Sequence, residues 1–299
     1  MQSYLKLIKF DNLLIIALAQ FCLKYGVFEP FNIPITLNGF GISLLVLATI
    51  SIVAAGNIVI MQYDQETSAT DNLLYGSITQ KSANSLFIIL NVIGVLIGFY
   101  LANLIGKPGF VALFIITSGI FYVYATYLKE ILVVKNLCIA TLAGLCLIVI
   151  GIFDLLPAIT EENKETQTVI FSIILDYSIF AFFIILLREL VKDAIHMDRV
   201  YRLEIKTIYI VVCKESSLIL FCVLVFIPIV LVFYYTYTYL FSNTTVVIFV
   251  LLFVIAPLLY VLIKCFSTVA DKLLTRLALI LKIILVITAI SLIFYQFVL

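Results

Sequence analysis

The chain has 299 residues, of which 65% are apolar and 12% charged, with mean hydropathy +1.26 and a formal net charge of +1. A soluble domain has about a quarter charged residues, so there is too little charge here to coat a water-facing surface, and lipid must be the solvent for most of it. The near-neutral balance excludes nucleic-acid binding, which needs clustered basic charge, and six scattered cysteines without a Cys-x-x-Cys pair give neither a zinc site nor a disulfide framework.

A bilayer crossing needs about 20 largely apolar residues. Nine segments qualify, at approximately 12–28, 40–61, 85–104, 108–127, 133–153, 169–187, 217–240, 246–265 and 277–298. Lys6 and Lys9 precede the first, and no small-residue cleavage site follows it, which reads as a membrane helix and not a signal peptide. Glu29-Pro30 and Pro34 stop that helix; Gly106-Lys107-Pro108-Gly109 and Ser242-Asn243-Thr244-Thr245 make turns further on. Trp is absent, leaving 17 Tyr to anchor the interfaces. No soluble domain is left over. The fold class expected is an all-α polytopic membrane bundle of about nine transmembrane helices, forming one domain over residues 1–299.

Cations set the orientation. One set of loops holds fourteen, from Lys6 and Lys9 through Arg188–Lys214 to Arg276, while the other side has Lys24, Lys107 and Lys164. The positive-inside rule then predicts a cytoplasmic N-terminus, with the loops after helices 2 and 6 on the same side.

Those two loops carry the chemistry. The first runs from Gly56 to Ser68 and contains Asp64; the second runs from Arg188 to Tyr201 and contains Asp193, His196 and Asp198. Four helices separate them, so both emerge on one face. Carboxylates facing each other across a cavity suit a hard cation such as Mg²⁺.

With nine helices around them, Gly56–Ser68 and Arg188–Thr207 resemble the UbiA superfamily of intramembrane prenyltransferases. Tyr127-Leu128-Lys129 with Asn136, Gly151–Pro157 and the opening Leu7–Leu13 extend the resemblance over the whole chain. It implies Mg²⁺, a polyprenyl diphosphate donor and a lipophilic acceptor, either a quinone precursor or a glycerol-phosphate lipid. The allylic cation left when the C–O bond ionises would alkylate that acceptor. It assigns Asp64 and Asp193 to metal and Lys129, as a catalytic cation, to the diphosphate; Asp198, off the ligand stripe, is added as a partial substitute among the metal ligands.

The family's pattern is Asn-Asp-x-x-Asp-x-x-x-Asp in the first motif and Asp-x-x-Asp-x-x-x-Asp in the second. Here Ile60, Met61 and Ser68 stand at three of the first set, His196 and Val200 at two of the second, and Glu204 replaces the Gly before Lys206-Thr207. Of seven metal-facing positions, two keep a carboxylate. Losing ligands outright exceeds the 10–100-fold cost of disturbing their supporting groups, so a full two-metal site is not expected. Arginine binds phosphate bidentately without a metal. Arg199, Arg202 and Lys206 are therefore the candidates for direct diphosphate binding, against the plainer reading that they only signal topology. Two functions stand: prenyl transfer, and a catalytically lapsed member that binds an isoprenoid lipid or partner. A transporter would show paired broken helices and inverted repeats, and neither is seen. Within the spans, Asn57 and Asn91 are expected to hydrogen-bond between helices. Asp176 is read either as a structural acid or as one marking a pathway.

Overall fold

In hydrocarbon every backbone N–H and C=O must be satisfied within its own segment, and the helix does this without a neighbour. The computed structural model describes residues 2–66, 78–131, 133–195, 214–241, 243–265 and 271–297, and among them there is no strand. Nine helices in these residues are long and apolar enough to cross a membrane: α1 (Phe10–Phe28), α2 (Gly39–Asp64), α3 (Gln80–Leu104), α4 (Pro108–Thr126), α5 (Val134–Ala158), α6 (Lys164–Ile195), α7 (Ile219–Leu240), α8 (Thr244–Lys264) and α9 (Lys272–Tyr295). The all-α bundle expected from composition is what forms.

Two helices run further than their apolar stretches. Helix continues to Glu66 at the end of α2 and to Ile195 at the end of α6. Arg188, Glu189, Lys192 and Asp193 are therefore helical and not in a loop. Hydropathy marks where a chain leaves the bilayer; backbone hydrogen bonding, which ignores side-chain polarity, decides where the helix stops.

Among the described residues the bundle has two large apolar centres and a small third one around Leu7, Ile58, Ile78 and Ala83. Of the large ones, one collects side chains from α1 to α6 and the end of α9; the other collects α6 to α9. α2 is the central helix, with 72% of the residues in its apolar stretch buried, against 22% in α3, which turns Ile88, Leu96, Phe99 and Leu104 outward toward lipid. α2 packs on α3 and α4, α5 on α6, and α6 on α9. Without a hydrophobic drive in lipid, such contacts rest on close approach at small residues. Gly56 is one of these: a Cβ there would meet the Phe121 ring at 2.4 Å. Lys282 of α9 reaches Asp11 of α1 at 3.1 Å and ties the last helix to the first.

Among the described residues, four five-residue π segments interrupt the α-helices, at Lys24–Phe28, Gly151–Leu155, Thr236–Leu240 and Leu251–Ile255. Such bulges tend to mark functional or constrained places. The first two meet. Lys24 Nζ lies 2.7 Å from Asp154 Oδ2 and 2.5 Å from the Leu37 carbonyl, and both side chains are fully buried. Asp154 Oδ1 accepts from the backbone N–H groups of Thr36 and Leu37. Lys24 is thus not one of three loop cations opposite the motif loops, as the charge count has it. It is an interior residue, and its partner 130 positions away leaves no local trace.

Candidate functional site

Asp64 and Asp193 are held at one end of the bundle by the single connection between α4 and α5. Past Thr126 the chain makes a short 3₁₀ turn at Leu128–Glu130 and enters α5 at Val134. Lys129, in that turn, lies 3.2 Å from Asp64 Oδ1 and also 6.0 Å from the centre of the Tyr63 ring. Lys135 and Asn136, in the first turn of α5, take the two oxygens of Asp193 at 2.7 and 2.9 Å. An anion is well placed there, because the free N–H groups at a helix start carry partial positive charge.

Inside these pairs, toward the middle of the bundle, lies a cavity of about 120 Å³ bounded by Asn12, Asn57, Arg188 and Glu189 at its polar side, with Val53, Phe121 and Leu285 among its apolar walls. Asn57 donates to the Ile8 carbonyl at 3.0 Å, which fixes the N-terminal segment over α2. Glu189 is paired with Lys192 at 2.5 Å, while the Arg188 Nε is buried and has no hydrogen-bond partner among the described residues. An unsatisfied guanidinium nitrogen beside a cavity is a donor in want of an acceptor. Chemically, this end offers lysine and arginine N–H donors above an apolar chamber, an arrangement that fits an anionic headgroup with a hydrocarbon tail.

The fold matches that of a digeranylgeranylglyceryl phosphate synthase with a TM-score of 0.65 over 98% of each chain, at 18% identity. A UbiA homologue from Archaeoglobus fulgidus bound to GPP and Mg²⁺ superposes with a TM-score of 0.59 over 97% of this chain and 99% of its own, at 15% identity. A UbiA homologue from the same organism, bound to DMAPP and Mg²⁺, gives 0.58 over the same shares, at 14% identity. This chain has the UbiA fold. No protein-family model and no curated protein matches the sequence.

Within this UbiA fold, the expected site residues Asp64, Asp193 and Lys129 come to one end. Asp198, Arg199, Arg202 and Lys206 lie outside the described residues, as do Ser68, His196 and Val200. Ile60 is buried in the apolar centre and Met61 packs beside Leu7 and Ile58, so these two positions now serve packing. Mg²⁺ requires a convergence of oxygen ligands in octahedral geometry. Among the described residues no three His, Cys, Asp or Glu side chains converge, and Asp64 and Asp193 each face an ammonium instead. The described donor set does not fit Mg²⁺.

Lys135, Asn136, Arg188 and Glu189 were not singled out as site residues from the sequence. Their signal was present but weak: charged and amide groups in the first turn of α5 and about two turns before the end of α6, where polar side chains face the protein interior.

Proposed function

We propose that this chain is a member of the UbiA superfamily whose function is polyprenyl transfer: it takes a polyprenyl diphosphate into the cavity between its helices and moves the prenyl group to a lipophilic acceptor. The observation that carries this is the pairing of Asp64 and Asp193 with Lys129 and Lys135, which gathers two ammonium groups at the same end of a UbiA fold as the cavity lined by Arg188. The solved structures with this fold include one bound to GPP and one bound to DMAPP, which supports the choice of donor.

The diphosphate headgroup would exchange with the two carboxylates for Lys129 and Lys135 and take the free donor of Arg188. Arg199, Arg202 and Lys206 from the following segment would complete the enclosure. Ammonium and guanidinium groups bind phosphate through charge-assisted hydrogen bonds, about twice as strong as neutral ones. In the reaction, the allylic C–O bond breaks with both electrons leaving on the diphosphate, the allylic carbon bonds to the acceptor, and the acceptor gives up a proton. Stabilising the departing charge is usually the largest catalytic contribution, and here it would fall to these cations.

A second reading, a lapsed member that binds an isoprenoid lipid without turning it over, is favoured by the ammonium pairing itself. Acids neutralised by lysines are not free to gather metal. Membranes containing the protein, supplied with labelled geranylgeranyl diphosphate and a panel of quinol-precursor and glycerol-phosphate acceptors, separate the two. Labelled product supports transfer; saturable binding without product supports the lapsed reading; neither result overturns both. Both motif-bearing ends are proposed to face the cytoplasm.

A further inference from the structure

We propose that α6, α7, α8 and α9 enclose a second ligand site, for a neutral lipid-soluble molecule bearing a hydroxyl group. A cavity of about 200 Å³ lies between these helices, lined by Asp176 and Tyr177 of α6, Tyr235 and Thr236 of α7, Val254 of α8 and Thr288 of α9. Ile179 and Tyr239, also on its wall, are 45% and 50% exposed, so the cavity communicates with the lipid side of the bundle. An apolar cavity of about 150 Å³ takes a benzene ring, so there is room for a substituted ring or a folded stretch of branched chain.

Three polar groups around this space lack hydrogen-bond partners among the described residues. The Asp176 carboxyl has no hydrogen bond or ion pair among the described residues. Thr236 is 6% exposed, and its Oγ1 and that of Thr288 are buried without a hydrogen bond. Hydroxyls on membrane helices commonly return their proton to a carbonyl in the preceding turn. Ser178 does so to Ile174 and Ser291 to Thr288, at 2.7 Å each. Thr236 and Thr288 do not, and Thr236 opens one of the π segments. Tyr177 meanwhile is held in place by Ser291 at 3.0 Å and stands edge-on to Tyr235.

A hydroxyl is the one small neutral group that both donates and accepts. It donates to Asp176 and accepts from Thr236 or Thr288, while the molecule's apolar body lies against the tyrosine rings and opens toward lipid. The depth argues for neutrality: Asp176 lies about 18 Å along the helix from Lys164 at a rise of 1.5 Å per residue, inside the hydrocarbon, where a charge is strongly disfavoured. The same rise puts it about 25 Å from Asp193. The site is therefore separate from the headgroup end and does not depend on the transfer reading.

Photolabelling the full-length protein in nanodiscs tests this. The probes are diazirine derivatives of a C15 isoprenoid alcohol and of a para-alkylphenol, with the methyl ether of each, the matched hydrocarbon and the matched alkylammonium. Labelling by either hydroxyl probe in 171–182 or 231–240, displaced by its unlabelled form and at least ten-fold weaker for the ether, is the result expected; the better of the two identifies chain or ring as the source. Asp176→Leu and the double change Thr236→Val with Thr288→Val should each weaken it about ten-fold without lowering the melting temperature, and Asp176→Asn, which keeps an acceptor oxygen, should retain more than Asp176→Leu. Equal labelling by alcohol, ether and hydrocarbon would mean an unspecific crevice and overturn the proposal. Stronger binding of the ammonium would overturn neutrality. Displacement by geranylgeranyl diphosphate would overturn the claim of a separate site.

Discussion

Lys135 and Asn136 are adjacent in sequence and divide one carboxylate between them, the lysine on Asp193 Oδ1 at 2.7 Å and the amide on Oδ2 at 2.9 Å. Their arrangement joins the start of α5 to the end of α6 and leaves Asp193 with both oxygens engaged.

The pair is 10% and 16% exposed at its two side chains, sheltered enough that losing one partner leaves an uncompensated charge. Lys135→Met is expected to destabilise the protein by about 2–4 kcal/mol, toward the range for broken buried pairs. Adding Asp193→Leu should recover part of it, because both charges are then gone. Melting of the single and double variants in detergent measures the coupling.

The Lys24–Asp154 pair makes a sharper distinction. Lys24→Met should cost about 3–5 kcal/mol. Asp154 also accepts two backbone N–H groups, so a second change to Leu strands both donors, while Asp154→Asn keeps an acceptor for them. The Lys24→Met, Asp154→Asn protein should therefore melt above the Lys24→Met, Asp154→Leu protein. The reverse order would show that the N–H contacts do not matter.

If cations and not metal hold the headgroup, chelation should leave geranylgeranyl diphosphate binding largely intact. Lys129→Ala and Lys135→Ala should each weaken it about ten-fold and leave geranylgeraniol, which has no diphosphate, unaffected. Titration with and without chelator reads both, and complete loss of binding on chelation would defeat the lysine arrangement.

Rebuilding the acidic motifs is expected to have a price in stability. Ile60→Asn, Met61→Asp, Ser68→Asp, His196→Asp and Val200→Asp together should raise metal affinity, while single reversions do little because ligands of one site act as a unit. Ile60 is 9% exposed within the apolar centre, so Ile60→Asn alone should lower stability by about 1–3 kcal/mol. Metal titration and melting of the five-fold and single variants check the two expectations independently.

Sidedness is testable by single cysteines at Thr70, Asn163 and Ile205 in a cysteine-free background. An impermeant thiol reagent should reach 163 from the side opposite to 70 and 205. Labelling of all three from one side would sink the proposed orientation.

The nine spans were legible in the sequence because hydrocarbon imposes a length and composition that few other folds satisfy. Asn91 was legible too: it accepts from Ser118 of the neighbouring helix at 2.5 Å, an interhelical bond as expected for an amide in a span. Lys24 was not. Near an apparent helix end it looks like an interfacial cation, and only the fold brings Asp154 to it. Lys135 illustrates the same limit at the site, since nothing in its surroundings in sequence distinguishes it from a topology-setting lysine. What decides its role is Asp193, 58 positions later. Apolar length is a local property of the chain, whereas the partners of buried charges are not.

That separation has a consequence during synthesis. α1 is the least hydrophobic of the nine spans among the described residues, and Lys24 cannot meet its carboxylate until 130 further residues have been made. At about 5–20 residues per second, this is roughly 6–26 s during which the ammonium has no Asp154 to meet. The helix that begins the chain is therefore expected to be among the last to settle, waiting at the bilayer surface or held by insertion machinery until α5 arrives to receive it.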